Sequence, residues 1–159
     1  MEHTFSHLDA QGNVTMVDVG DKAPSKRVAI AEAVVELAPA TLELLKKSAL
    51  PKGDVLACAK IGGIMAAKRT SQLIPLCHSL NLTFADVRFE VRDMPPQVRI
   101  EAEARTVGST GVEMEALHAV SAAALTIYDM CKAIDRGMHI TNLRVIEKDG
   151  GKSGHFTQQ

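Results

Sequence analysis

Two stretches that alternate polar with apolar residues, Leu82 to Arg92 and Gln97 to Val107, flank the turn sequence Asp93-Met94-Pro95-Pro96. A period of two sends successive side chains to opposite faces, so each stretch suits a strand with one face against a core. The prolines end both strands at a tight connection, which predicts a hairpin whose apolar face must be covered. The alternation shifts phase between Phe84 and Val87, where a bulge is expected. Arg27 to Leu37 also alternates, with Val28, Ile30 and Val34 on one side and Ala29, Ala31, Ala33 and Val35 on the other. Met138 to Ile146 reads as a last strand.

Helical patterns supply the cover. Pro39 suits the first turn of a helix running to Lys47. Asp54 can cap a second helix, to about Thr70. Gly62-Gly63 weakens that helix in isolation, and close packing of another backbone is the expected reason for the pair. Val112 to Arg136 is the longest helical pattern, with a Thr110–Glu113 capping box at its start and Gly137 as its stop. The order β-α-α-β-β-α-β predicts an α+β fold, an antiparallel sheet covered on one face by helices. The 159 residues fit one domain, with residues 1–26 as an arm and the Gly/Lys-rich 148–159 as a tail.

Charge and composition exclude several function classes. Eighteen Lys and Arg stand against 19 Asp and Glu, a net charge of -1, so the chain is expected to bind neither nucleic acid nor a membrane surface. Any anionic ligand needs a local cluster of cations. No apolar run approaches the ~20 residues of a membrane span, and Met1 to Val19 carries Glu2, His3, His7 and Asp9 where a signal peptide would be basic and then apolar. Cys58, Cys77 and Cys131 are odd in number and widely spaced, which argues for a reducing compartment and a cytoplasmic protein.

Several residues could carry chemistry. Asp129 and Lys132 are three apart and share a helix face bordered by Ile127, Met130 and Cys131. The same spacing also describes an ordinary surface ion pair. Lys52 sits between Pro51 and Gly53, a loop that can present a lysine rigidly or leave it solvated. Glu113 and Glu115 suit metal ligation or acid–base work, and equally the positive N-terminal end of a helix. Cys77-His78 lacks a second pair of soft ligands, so no zinc is expected. His78 suits a phosphate or ligand contact better than a base for Cys77. His3 and His7 fall in the arm and receive no role. Gly150-Gly151-Lys152-Ser153-Gly154 resembles a phosphate loop, but Ile146 stands where the Walker pattern needs its first glycine. A flexible basic flap over an anion remains open.

In combination these segments are specific. Met16-Val17-Asp18-Val19, Lys52-Gly53-Asp54, Ala66-Ala67-Lys68-Arg69-Thr70, Leu73-Ile74-Pro75-Leu76-Cys77-His78, Thr110-Gly111-Val112-Glu113-Met114-Glu115-Ala116-Leu117, Leu125-Thr126-Ile127-Tyr128-Asp129-Met130-Cys131-Lys132-Ala133 and Gly150-Gly151-Lys152-Ser153-Gly154 occur in that order. The set closely resembles the cyclic pyranopterin monophosphate synthase family, the molybdenum cofactor biosynthesis protein C. The resemblance implies a ferredoxin-like subunit in a homohexamer, a trimer of dimers, with active sites at subunit interfaces. It implies a phosphorus–oxygen lyase that converts a cyclised guanosine triphosphate, (8S)-3′,8-cyclo-7,8-dihydroguanosine 5′-triphosphate, to cyclic pyranopterin monophosphate and pyrophosphate.

By motif, Lys52 and Lys132 match the family's catalytic lysines and Asp129 its active-site acid. Leu76, Cys77, His78, Met114 and Glu115 match substrate-binding positions, and Arg27, Lys68, Glu113, Lys148 and Lys152 match pocket residues. The sequence departs from the family pattern at Ser79, Ser109 and His118. No cofactor is required on this reading; Mg²⁺ can arrive with the triphosphate oxygens. Ring rearrangement needs proton transfers, which lysines perform best if burial and neighbouring cations lower their pKa towards neutrality. The rival is a non-catalytic nucleotide sensor on the same scaffold, which would use the cations but not the acid–base set.

Overall fold

A computed structural model describes residues 7–48, 54–152 and 154–158. Strand β1 (Ser25–Glu36) leads through α1 (Pro39–Lys46), α2 (Val55–Ala67) and the single turn α3 (Thr70–Leu73) to β2 (Leu82–Arg92) and β3 (Gln97–Gly108). Helix α4 (Glu113–Cys131) then leads to β4 (His139–Asp149) and a short β5 (Phe156–Thr157). The sheet order is β2-β3-β1-β4-β5, antiparallel at every pairing. Its first four strands reproduce the ferredoxin-like arrangement, in which β1 and β3 lie side by side at the centre.

Small side chains set the spacing between the layers. The inner face of β1 carries Ala29, Ala31, Ala33 and Val35, and that of β3 carries Val98, Ile100, Ala102 and Ala104, all buried. Helix α4 answers with buried Ala116, Ala119, Val120, Ala123, Ala124 and Ile127. Helix α2 packs beside it where Gly63 lies against the Ala119 carbonyl, so close backbone packing accounts for Gly63, whereas Gly62 faces only the Thr126 side chain.

The differences from the sequence expectations are local. The register shift of the hairpin falls between Leu82 and Phe84, before the expected place. The capping box does not form: Val112 is the N-cap with no side-chain hydrogen bond, and the Glu113 carboxylate instead accepts from Lys148. Helix α4 ends at Cys131, not Arg136, because the chain must turn back to start β4; Gly137 follows a short loop and is no helix stop. β4 runs on to Asp149, and β5, which escaped the sequence pattern, pairs with its end at Glu147 and Lys148.

The outer face of the sheet is a charge ladder. Glu32 on β1, 6% exposed, accepts from Arg99 of β3 at 2.7 Å and from Arg144 of β4 at 2.9 Å. Burial pushes its carboxyl up, but the Arg144 and Arg99 hydrogen bonds outweigh it and hold the group below its usual range. A carboxyl whose folded pKa is lowered stabilises the fold above its unfolded pKa and loses that contribution as pH falls through the folded value. Glu32→Gln is therefore expected to cost about 1–3 kcal/mol at neutral pH. Urea unfolding of both proteins on acidification checks it: the gap should close below the ordinary carboxylate range, and a gap independent of pH would refute the ion-pair account.

Candidate active site

Two clefts share a wall at the end of the sheet nearest the start of α4. The first, of about 310 Å³, is lined by the connector residues Leu76, Cys77 and His78 and by Glu113, Met114 and Glu115 from the first turn of α4. Val17, Val19 and Leu80 give it an apolar side. The connector is held by a turn in which the Cys77 amide donates to the Ile74 carbonyl at 3.2 Å. His78 Nε2 lies 2.8 Å from the Val17 carbonyl oxygen. A carbonyl only accepts, so Nε2 carries a proton, and this bond fastens the segment around Val17 to the cleft.

Glu115 is 4% exposed and lines this cleft. Burial first, and the Glu113 charge second, push its carboxyl above the usual range. A buried carboxyl in a cleft is a strong acceptor for paired N–H donors, because such donors offset its lost hydration. Burial also pushes the Cys77 thiol up, and the Glu115 charge adds to it. A thiol held in that direction is a poor nucleophile at neutral pH. Cys77→Ser is thus expected to keep turnover within the order of magnitude of the unsubstituted chain in a steady-state assay. A loss as large as that of a removed nucleophile would overturn this.

The second cleft, of about 540 Å³, is cationic on balance, with Lys22, Arg27 and Lys152 against Asp21 on its wall, beside Ser25 and Ser109. Lys22, Thr110 and Gly111 line both clefts. Lys148 reaches Glu113 at 2.9 Å, so a cation of β4 meets the acid that opens α4. Ser109 Oγ donates to the Lys22 carbonyl at 2.8 Å and holds the Lys22 loop in place. Ser25 Oγ is a buried hydroxyl with no hydrogen-bond partner among the described residues.

The structure thus gathers Leu76, Cys77, His78, Glu113, Met114, Glu115, Arg27 and Lys152 around one bipartite cavity, with Lys148 on its edge. It also adds Lys22 and His7, which the sequence reading left unassigned in the arm. The signal was present in Gly20-Asp21-Lys22, a turn with a cation at its exit, but its contacts are to residues over eighty positions away.

Other expected residues lie elsewhere. Asp129 and Lys132 form a 2.6 Å pair at the far end of α4, both about half exposed. With a rise of 1.5 Å per residue, they lie about 21–26 Å along the helix from Glu115. The hydrogen bond and charge of Asp129 push the Lys132 pKa up, against the expected fall, because an exposed ammonium beside a carboxylate keeps its proton. Lys68 is exposed at the C-cap of α2. Lys52 lies outside the described residues. The family departures are accommodated: Ser79 Oγ lies 3.0 Å from Ser71 Oγ, and His118 Nδ1 lies 3.2 Å from Thr70 Oγ1. Among the described residues, no cluster of three His, Cys, Asp or Glu side chains is arranged to hold a metal, and no helix is long and apolar enough to cross a membrane.

A family model described as MoaC family matches residues 16–151. A protein from Desulfovibrio desulfuricans named cyclic pyranopterin monophosphate synthase is 69% identical over 98% of this chain and 96% of its own length. Proteins of the same name from Nitratidesulfovibrio vulgaris and Chloroflexus aggregans are 63% and 57% identical over 96% and 98% of this chain, and 94% of their own lengths in both cases.

Proposed function

We infer the chemistry of these clefts from a membership: the chain belongs to the MoaC family. Its activity is that of a cyclic pyranopterin monophosphate synthase, a lyase step of molybdenum cofactor biosynthesis. The substrate on this reading is the cyclised guanosine triphosphate, and the products are cyclic pyranopterin monophosphate and pyrophosphate. The observation that carries it is the shared wall between a cleft with one apolar side and a buried acid and a cleft where Lys22, Arg27 and Lys152 outnumber Asp21. A guanine-derived ring offers adjacent N–H donors to Glu115, while its phosphate chain meets Lys22, Arg27 and Lys152. Any Mg²⁺ travels on the triphosphate oxygens.

His78 takes a different part from the phosphate grip its sequence position suggested. Its Nε2–H is used on Val17, so in the neutral ring the remaining Nδ1 is an acceptor. It suits a substrate N–H or O–H, and grips phosphate only as imidazolium.

Lys52, Asp129 and Lys132 serve as the proton-transfer set, with Asp129 orienting Lys132. One copy of α4 keeps that pair about 21–26 Å from Glu115, so a second copy must bring its own pair to the cleft. A homo-oligomer, a hexamer of three dimers, meets that need. Burial at the subunit contact would then supply the desolvation that Lys132 lacks in the isolated chain, and lower its pKa.

The test is to mix the purified chain with the cyclised nucleotide and assay pyrophosphate together with an oxidisable pterin. Both products are expected. Binding without either product would leave a nucleotide sensor, and pyrophosphate without pterin a simple triphosphate hydrolase.

A further inference from the structure

The glycine-rich sequence after β4 is not a Walker loop, yet its backbone takes a conformation that only glycine adopts readily. Gly150 and Gly151 have φ of +103° and +76°. In this conformation the turn passes across the start of β1. A methyl group built on Gly151 would overlap the Arg27 guanidinium, coming within 2.5 Å of Cζ and 3.0 Å of Nη2. A methyl on Gly150 would meet the Lys26 backbone and lie 3.1 Å from Arg27 Cδ. On its other side, Arg27 Nε donates to the Gly108 carbonyl at 3.3 Å. Arg27 and Gly151 both line the cationic cleft.

We propose that the Gly150–Gly151 turn is a positioning element for Arg27, its bare backbone holding the guanidinium against Gly108 so that its fork is set for phosphate oxygens. The proposal rests on the phosphate role given above to the cationic cleft. A guanidinium recognises phosphate through a rigid planar fork, so its value depends on where the plane points. Pre-setting that plane removes the ordering cost that a long side chain otherwise bears on binding. A side chain at 151 would leave Arg27 in the sequence and evict its head group, which is flexible enough to move without unfolding the sheet. Position 150 differs, since the obstacle there is backbone and a substitution would distort the strand end itself.

The positive φ carries its own strain for an L residue, which a control must separate from the steric effect. Gly154 also has positive φ, +65°, but a methyl there meets nothing within 4 Å. Gly154→Ala therefore imposes the strain alone. Asparagine tolerates this backbone region better than other non-glycine residues. Gly151→Asn therefore lightens the strain while keeping the overlap, and serves where Gly151→Ala does not fold.

Binding of inorganic pyrophosphate, measured by calorimetry on the full chain, reads the effect without turnover. Gly151→Ala and Gly151→Asn are expected to weaken it about tenfold or more, as loss of a charge-assisted contact does. Arg27→Ala is expected to weaken it at least as much, and Gly154→Ala to leave it unchanged. The Gly151→Ala/Arg27→Ala double variant should bind no worse than Arg27→Ala alone, because the glycine acts only through the arginine. With the cyclised nucleotide, Gly151→Ala should raise KM far more than it lowers kcat. Additive losses in the double variant, unchanged binding in both Gly151 variants, or an equal loss in Gly154→Ala would overturn the proposal. If the unsubstituted chain bound pyrophosphate but made no pterin, the enzymatic reading would fail and the positioning role would stand.

Discussion

Lys132→Ala is expected to cut turnover by about 10²–10⁴-fold or more, the usual contribution of a general acid or base, with little change in thermal midpoint. The two halves of that expectation have different origins. The fold should tolerate the change because the Lys132 side chain is about half exposed and its visible partner is the equally exposed Asp129. Exposed pairs of this kind contribute little to stability, about 0–1 kcal/mol. The activity should collapse if Asp129 and Lys132 are the proton-transfer pair proposed above, although they sit at the opposite end of α4 from the clefts proposed to hold the substrate. If a second copy delivers that pair, two crippled variants should complement. Glu115→Ala and Lys132→Ala chains, inactive apart, should regain part of the activity when co-expressed, because some sites then combine an intact cleft with an intact lysine. Normal turnover in Lys132→Ala would remove the acid–base assignment, and failure of the mixture to recover would remove the shared site.

Gly63→Val should be the most destabilising of the substitutions considered. A methyl at Gly63 would lie 2.8 Å from the Ala119 carbonyl oxygen, 2.8 Å from Val87 Cγ2 and 3.4 Å from Ala123 Cβ. The first of these is backbone of α4, so relief requires α2 and α4 to part and the alanine-lined layer between helix and sheet to open. Overpacking in a tight core costs about 1–3 kcal/mol and occasionally more, and valine places further bulk on the same spot. A better helix former in place of glycine returns only about 0.5–1 kcal/mol. At about 2–4 °C per kcal/mol for a domain of this size, a midpoint drop of several degrees or more is expected in thermal unfolding. Gly62→Ala is the contrast, since its nearest neighbour is not backbone but the Thr126 hydroxyl at 3.0 Å, which can make way at the expense of its bond to the Ala122 carbonyl. A Gly63→Val protein that melts higher would mean that helix propensity outweighs packing here.

Element types were legible because periodicity is a local property. The alternations at β1, β2 and β3 and the helical runs at α2 and α4 follow from backbone geometry over a few residues. Their ends were less legible, because competing contacts decide them. The Glu113 carboxylate pairs with Lys148 of β4 and does not close the expected capping box, and α4 stops early so that β4 can reach its place beside β1. The two-residue β5 has no period to display, and only its pairing to Glu147 and Lys148 makes it a strand.

For the site, ordered motifs identified the family and named most of the residues that line the cavity, because chemistry restricts residue type wherever the residue sits along the chain. They could not show that Lys22 and His7 join that cavity. The bonds from His78 to Val17 and from Ser109 to Lys22 span 61 and 87 positions, and contacts at such separation exist only after β1 has paired with β3. That Asp129 and Lys132 stand a helix length from Glu115, by contrast, follows from reading Val112 to Arg136 as one helix with a rise of 1.5 Å per residue. A straight helix keeps its two ends apart however strongly their chemistry calls for each other, so the arrangement of the reacting groups belongs to the packing of whole elements.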